Sequence, residues 1–135
     1  MPGSFVDTNV LVYLASRDNA KADRAEAAIA SGDAISVQVL NELTNVARRK
    51  MHFSWADTRT LLFTIRNLLT IHPLTLETHE TGLALAERYG FSVFDAMITA
   101  SAIRAGCDTL LSEDFQHGMV LDEGLRIVNP FREAD

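Results

Sequence analysis

Four carboxylic acids, Asp7, Glu42, Asp95 and Asp114, stand in settings that suit metal chemistry. Asp7 ends the apolar run "SFV" and is followed at once by Thr8, Asn9 and a second apolar run. Asp114 follows "TLLS" with one residue between. Asp95 lies in the first turn of "FSVFDAMITASAIRAG", and Glu42 lies within "SVQVLNELTNVARRK". Carboxylates gathered without Lys or Arg neighbours repel one another, so such a group protonates in part or binds a cation. Oxygen donors without His or Cys suit Mg²⁺ or Mn²⁺ rather than zinc, and Mg²⁺ uses a few carboxylates while keeping several waters. One such ion lowers the pKa of an attacking water, and a second, about 4 Å away, steadies the leaving oxygen of an in-line phosphoryl displacement.

Each acid also has a plain structural role. Asp7 suits a helix cap, and Ser92 to Asp95 fits the S-x-x-[DE] capping pattern. Glu42 alone reads as a solvated helix residue, and Asp114 alone as a turn residue. Only their convergence argues for chemistry.

Convergence depends on the elements that carry them. Apolar runs of strand length recur at Ser4 to Val6, Ala34 to Val37, Ile71 to Leu74, Thr109 to Leu111 and Leu125 to Val128. Helical spacing fills the gaps: Asp18 to Ala30 closing at Gly32, a helix from near Ser54 until His72 and Pro73 stop it, Leu76 to Tyr89 closing at Gly90, and Ser92 to Gly106. Strands alternating with helices imply an α/β fold with a parallel sheet covered on both faces and right-handed crossovers. In such a sheet Asp7 and Asp114 share the C-terminal edge, where open α/β sheets place their ligands. The helix N-terminus bearing Asp95 faces that edge, and Glu42 flanks the stripe of Val39, Leu43, Val46 and Ala47.

The totals agree. A chain of 135 residues, 47% hydrophobic, with no repeat or linker, fits a single domain over 1–135 that buries roughly two-thirds of its unfolded surface. The formal charge of −6 argues against coating nucleic acid through an overall field but leaves room for a local basic patch. Cys107 is the single cysteine, so no intrachain disulfide forms and a reducing cytoplasm is the expected compartment. The apolar stretch at 10–15 is too short to span a membrane, and the first nine residues lack the Lys or Arg of a secretory leader.

"FVDTNVLVYL", "VLNELTNVARR", "YGFSVFDAMITASAIRAGCDTLLSEDFQHG" and the closing "LRIVNPF" together resemble a PIN domain, most closely the bacterial VapC-type ribonuclease toxins. The resemblance spans almost the whole chain. It implies a three-layer α/β/α sandwich with a central, mainly parallel five-stranded sheet. It also implies a metal-dependent endoribonuclease, using one or two Mg²⁺ or Mn²⁺ ions, that leaves a 5′-phosphate and a 3′-hydroxyl. The family's catalytic and metal-binding acids fall on Asp7, Glu42, Asp95 and Asp114, with Thr8 or Asn9 and Ser112 as polar helpers. Ser112 stands where many members carry threonine. Glu113 directly precedes Asp114, and adjacent side chains rarely point the same way, so Glu113 stays outside the set. Relatives of this type pair with a cognate antitoxin that presents an arginine to the acids, and they form homodimers.

Arg48, Arg49, Lys50 and His52 make the only concentrated basic stretch. Cations at a helix C-terminus are favourable in themselves, and on the helix bearing Glu42 the first three are also candidates to hold RNA phosphates. None of the four histidines shares a metal-type spacing with another. Trp55, Leu61, Leu62, Phe63, Ile65, Leu68 and Leu69 exceed one buried face, leaving apolar area for a dimer or an antitoxin helix. A haloacid-dehalogenase-like phosphatase needs a second acid where Asn9 stands. A receiver domain wants a paired acid at its first strand and a lysine after its last, and neither is present. A non-catalytic module that keeps the fold is a further alternative, against which the four acids weigh.

Overall fold

The computed structural model describes residues 3–121 and 123–132. Five short strands, β1 (Ser4–Val6), β2 (Ala34–Ser36), β3 (Thr70–His72), β4 (Thr109–Leu111) and β5 (Arg126–Val128), form one sheet in the order β3-β2-β1-β4-β5. Every paired strand runs parallel to its neighbour. Because parallel strands need crossovers, helices fill the intervals: α1 (Thr8–Val12), α2 (Asn19–Ser31), α3 (Val37–Arg49), α4 (Trp55–Leu68), α5 (Leu76–Tyr89) and α6 (Val93–Arg104). No helix among the described residues is long and apolar enough to cross a membrane.

The chain steps outward from β1 to β2 to β3, then returns to the other side of β1 to lay down β4 and β5. Strand order therefore reverses between β1 and β4, and a crevice opens outside the carboxyl ends of those two strands. Phe5, Val6, Ile35, Leu110 and Ile127 on the strands are fully buried and pack with Val10, Leu11, Leu43, Ile65 and Ile98 from the helices. The middle of α6, Ala96 to Ala102, is buried throughout, as befits a helix apolar on all sides and covered by sheet and helix together. Gly82 of α5 is what lets the two helices approach: a Cβ there would stand 2.6 Å from Met97 Sδ.

Several boundaries differ from the pattern of apolar residues, among them the start of the last strand, which lies at Arg126 rather than Leu125. The helix expected to run on to His72 ends at Leu68, and the strand expected at Ile71 to Leu74 lies at Thr70–His72. Pairing with β2, through Ile35 with Ile71 and Ser36 with His72, extends the chain earlier than helical periodicity implies. Pro73, lacking an N–H, ends the strand rather than the helix. Val37, read as the end of the second strand, is already the first residue of α3.

Candidate active site

Asp7 stands between the last residue of β1, Val6, and the first of α1, Thr8, as the N-cap of that helix. Its N–H donates to the Leu111 carbonyl at 2.9 Å, one step beyond the pairing of Val6 with Leu111. Its side chain then caps α1, Oδ1 accepting from the Thr8 N–H at 2.7 Å. The other oxygen, Oδ2, accepts from Ser112 Oγ at 2.7 Å and from Asn9 Nδ2 at 3.1 Å. Asn9 Nδ2 also lies 3.1 Å from Ser112 Oγ, and Asn9 Oδ1 accepts from the Glu113 N–H. Ser112 Oγ accepts in turn from the Asp114 N–H at 3.2 Å. Asn9 and Ser112 thus knit the ends of β1 and β4 around Asp7. Thr8 takes part through its backbone; its hydroxyl is buried with no hydrogen-bond partner among the described residues.

Burial pushes the Asp7 carboxyl up to about 7; the Ser112 and Thr8 hydrogen bonds oppose the rise, and the charges of Asp114 and Glu42 add to it. Glu42, half-buried on the flank of α3, is raised by desolvation, held back by the Gln38 amide 3.0 Å away, and raised further by Asp95 and Asp114. Asp95 sits at the start of α6, where Ser92 caps the helix and accepts its N–H at 3.2 Å. Its carboxyl is raised by burial, opposed by a Ser92 hydrogen bond, and raised again by Asp114. Asp114, exposed at the mouth, is felt by the other three. The cap and turn roles read from sequence and a shared electrostatic field are therefore compatible at the same residues.

Among the described residues none of the four acids forms an ion pair; the ion pair found joins Lys21 to Glu113 at 3.8 Å. Glu113 also accepts from the Tyr13 hydroxyl at 2.8 Å, which draws it aside from Asp114. No three His, Cys, Asp or Glu side chains among the described residues are drawn together closely enough to form a finished coordination shell. The sheet edge instead carries oxygen donors: four carboxylates with no ion pair among the described residues, and the unpartnered Thr8 hydroxyl. That donor chemistry fits a hard divalent cation that keeps part of its water shell.

Gln38 went unnoticed in the sequence, although its i to i+4 spacing to Glu42 was a usable signal. Of the basic stretch, Arg49 and Lys50 are exposed, whereas Arg48 Nη1 donates to the Phe53 carbonyl at 2.6 Å and its guanidinium lies 4.3 Å from the centre of the Trp55 ring. His117 Nδ1 accepts from the Asn129 N–H, a packing role.

No curated protein matches the chain. Solved structures of the same fold include a toxin-antitoxin complex from Klebsiella pneumoniae, 22% identical, with 95% of this chain and 98% of that one covered at a TM-score of 0.72. The Mycobacterium tuberculosis toxin VapC20, described as cleaving the sarcin-ricin loop, is 20% identical over 83% of this chain and 92% of its own, at a TM-score of 0.67. VapBC2 of Rickettsia felis, bound to a promoter DNA fragment, is 22% identical over 82% and 87%, at 0.61. The sequence itself matches the family described as PIN domain over residues 4–118, from the first strand past all four acids. The sheet whose order reverses beside Asp7 is thus that of a known family, and this chain belongs to the PIN-domain family.

Proposed function

We propose that residues 1–135 form one domain that acts as a metal-dependent endoribonuclease, the toxin of a toxin-antitoxin pair working in the cytoplasm. The observation that carries this reading is that the carboxyl pKa values of Asp7, Glu42 and Asp95 are all raised, first by burial and then by neighbouring acids that include Asp114, with no ion pair from Lys or Arg to any of the four among the described residues. Acids whose pKa values are raised by burial and by one another mark a candidate functional site, and a bound cation would relieve their repulsion. These four residues would hold one or two Mg²⁺ or Mn²⁺ ions, which when bound supply an activated water at neutral pH and neutralise the phosphoryl charge.

The chain's own groups do the rest. Ser112 and Asn9 fix the Asp7 carboxylate, and Gln38 fixes that of Glu42. Arg49 and Lys50, with Arg48, hold the phosphates flanking the cut. Water adds to phosphorus, the bond to the 3′ oxygen breaks, and the products carry a 5′-phosphate and a 3′-hydroxyl. A cognate antitoxin and a second copy of the chain are the proposed protein partners. Supporting this, a groove of about 840 Å³ between α2 and α4, lined by Leu14, Ile29, Phe53, Leu61 and Leu68, leaves apolar surface open, and the structural neighbours include toxin-antitoxin complexes.

The test is Asp7→Asn and, separately, Asp95→Asn. Each is expected to lower Mg²⁺-dependent cleavage of single-stranded RNA on the order of a hundredfold or more while circular dichroism stays unchanged. Near-normal cleavage by either folded variant would refute the assignment. Expression without a partner is expected to arrest growth for the wild type and not for Asp7→Asn; equal harmlessness would remove the toxin role.

A further inference from the structure

We infer that the outer face of α3 and the first residue of α4 form a nucleobase subsite that takes an unpaired base of the RNA near the cut, a proposal that rests on the ribonuclease reading. A concavity of about 470 Å³ is lined by Asn41, Thr44, Asn45, Arg48, Arg49 and Trp55, within the size range of ligand pockets. Its floor is polar because α3 turns Val39, Leu43 and Ala47 to the core and leaves the asparagines on the opposite face.

Its wall is an indole held in place. Trp55 remains 58% exposed even though the Arg48 guanidinium lies 4.3 Å from its ring centre. Arg48 is itself anchored by its 2.6 Å bond to the Phe53 carbonyl, so the Arg48 and Trp55 pair is ordered before any ligand arrives. A large aromatic left open on a polar surface, backed by a fixed guanidinium, is the arrangement on which single-stranded bases stack. Asn41 and Asn45 are exposed on successive turns, and each carboxamide offers a donor and an acceptor, the pair of functions that a base edge presents. Phosphate would use only the donors. The Thr44 hydroxyl is already committed to the Leu40 carbonyl at 2.7 Å, which leaves the two amides to read the edge.

The pocket lies on the helix that also bears Glu42. Glu42, Asn45 and Arg49 follow one another at i, i+3 and i+7 and therefore share one stripe of α3. Along the axis Asn45 lies about 5 Å and Arg49 about 10 Å from Glu42, a span of roughly two to three stacked nucleotides. A strand whose phosphate reaches Glu42 would bring a neighbouring base to Trp55 and a further phosphate to Arg49.

Trp55 is the only tryptophan of the chain, so indole fluorescence reports this pocket alone. Wild-type protein in EDTA, where cleavage is blocked, would be titrated with adenosine-rich and uridine-rich RNA octamers, an abasic octamer of the same backbone, and inorganic polyphosphate. Saturable quenching by the base-bearing octamers is expected, with binding at least tenfold weaker for the abasic chain and polyphosphate. Trp55→Ala and the double variant Asn41→Ala with Asn45→Ala should weaken octamer binding roughly tenfold, followed by fluorescence anisotropy of labelled RNA, and leave polyphosphate binding unchanged; Trp55→Phe should restore most of it. Equal quenching by all four probes marks a phosphate site and overturns the proposal, as does octamer binding and cleavage by both variants at wild-type strength. Because the readout needs no cleavage, RNA hydrolysis with no base-dependent quenching sinks the subsite alone. Base-dependent quenching in a protein that never cleaves RNA sinks the nuclease reading and keeps the subsite.

Discussion

Ser112 Oγ donates to Asp7 Oδ2 over 2.7 Å and joins the ends of two central strands that lie 105 residues apart in the chain. The bond favours the ionised carboxylate at the same place where burial disfavours it, and the balance leaves Asp7 titrating at about 7. A metal ligand with that pKa releases its proton at the pH where the ion is to bind, so ion affinity and proton loss are coupled.

Replacing Ser112 by Ala removes a donor to the charged form without adding a competing group. The Asp7 pKa is expected to rise by roughly one unit, since hydrogen bonds to charged groups contribute about 1.5–3 kcal/mol and Asn9 remains to offset part of the loss. Carboxyl carbon chemical shifts followed through a pH titration of metal-free protein measure it, and Ser112→Thr should titrate like wild type. An unchanged or lower pKa in the Ala variant would show that the serine only spaces the strands.

A folded pKa above the ordinary carboxyl value of 3.8 fixes the sign of the stability effect. Protonated Asp7 contributes fully below pH 4, and that contribution is lost as pH rises through about 7. Metal-free wild type should therefore lose stability between about pH 4 and about pH 7, by up to a few kcal/mol at about 1.36 kcal/mol per unit. Asp7→Asn escapes this loss, so it should melt above wild type at pH 8 and close to it near pH 4. Thermal melts in EDTA decide the matter; a wild type that is the more stable protein at pH 8 contradicts it.

The strands at Ser4–Val6 and Thr109–Leu111 could be read from sequence because a strand buried on both faces is an unbroken apolar run. Once the sheet was parallel, Asp7 and Asp114 had to share an edge. The third strand was misplaced because Leu68, Leu69 and Thr70 continue the helical pattern, and only pairing with β2 tells the chain to extend there. Gln38, Asn41 and Asn45 were invisible for a related reason: polar residues on a helix look solvated until the fold shows what stands opposite. The exposed indole of Trp55, brought back over α3 by the Arg48 bond to Phe53, is a tertiary relationship with no counterpart in local periodicity.

Glu113 and Asp114 are adjacent acids with opposite environments. Tyr13 and Lys21 engage Glu113, whereas Asp114 acts electrostatically on Asp7, Glu42 and Asp95. Glu113→Gln should keep RNA cleavage within about threefold and shift the melting temperature by no more than about 3 °C, as for a surface ion pair. Asp114→Asn should lower cleavage at least tenfold, on the order of 1.4 kcal/mol or more of transition-state stabilisation. Gel assays of both variants at matched Mg²⁺ make the comparison, and equal losses would spread the role over both acids.

Gln38 acts on the site only through Glu42. Its Nε2 donates to Glu42 Oε2 at 3.0 Å from one turn earlier on α3, favouring the ionised form and restricting the carboxylate to one orientation. Gln38→Ala leaves Glu42 under its burial and under the charges of Asp95 and Asp114 with no amide to oppose them. Groups that orient a metal ligand typically contribute 10- to 100-fold in affinity or activity. We therefore expect Mn²⁺ affinity, measured by calorimetry at two pH values, to fall about tenfold at the lower and by less at the higher, because Glu42 is the harder to ionise in the variant. A loss of equal size at both pH values would mean that Gln38 orients Glu42 without affecting its proton, and no loss at all would remove it from the site.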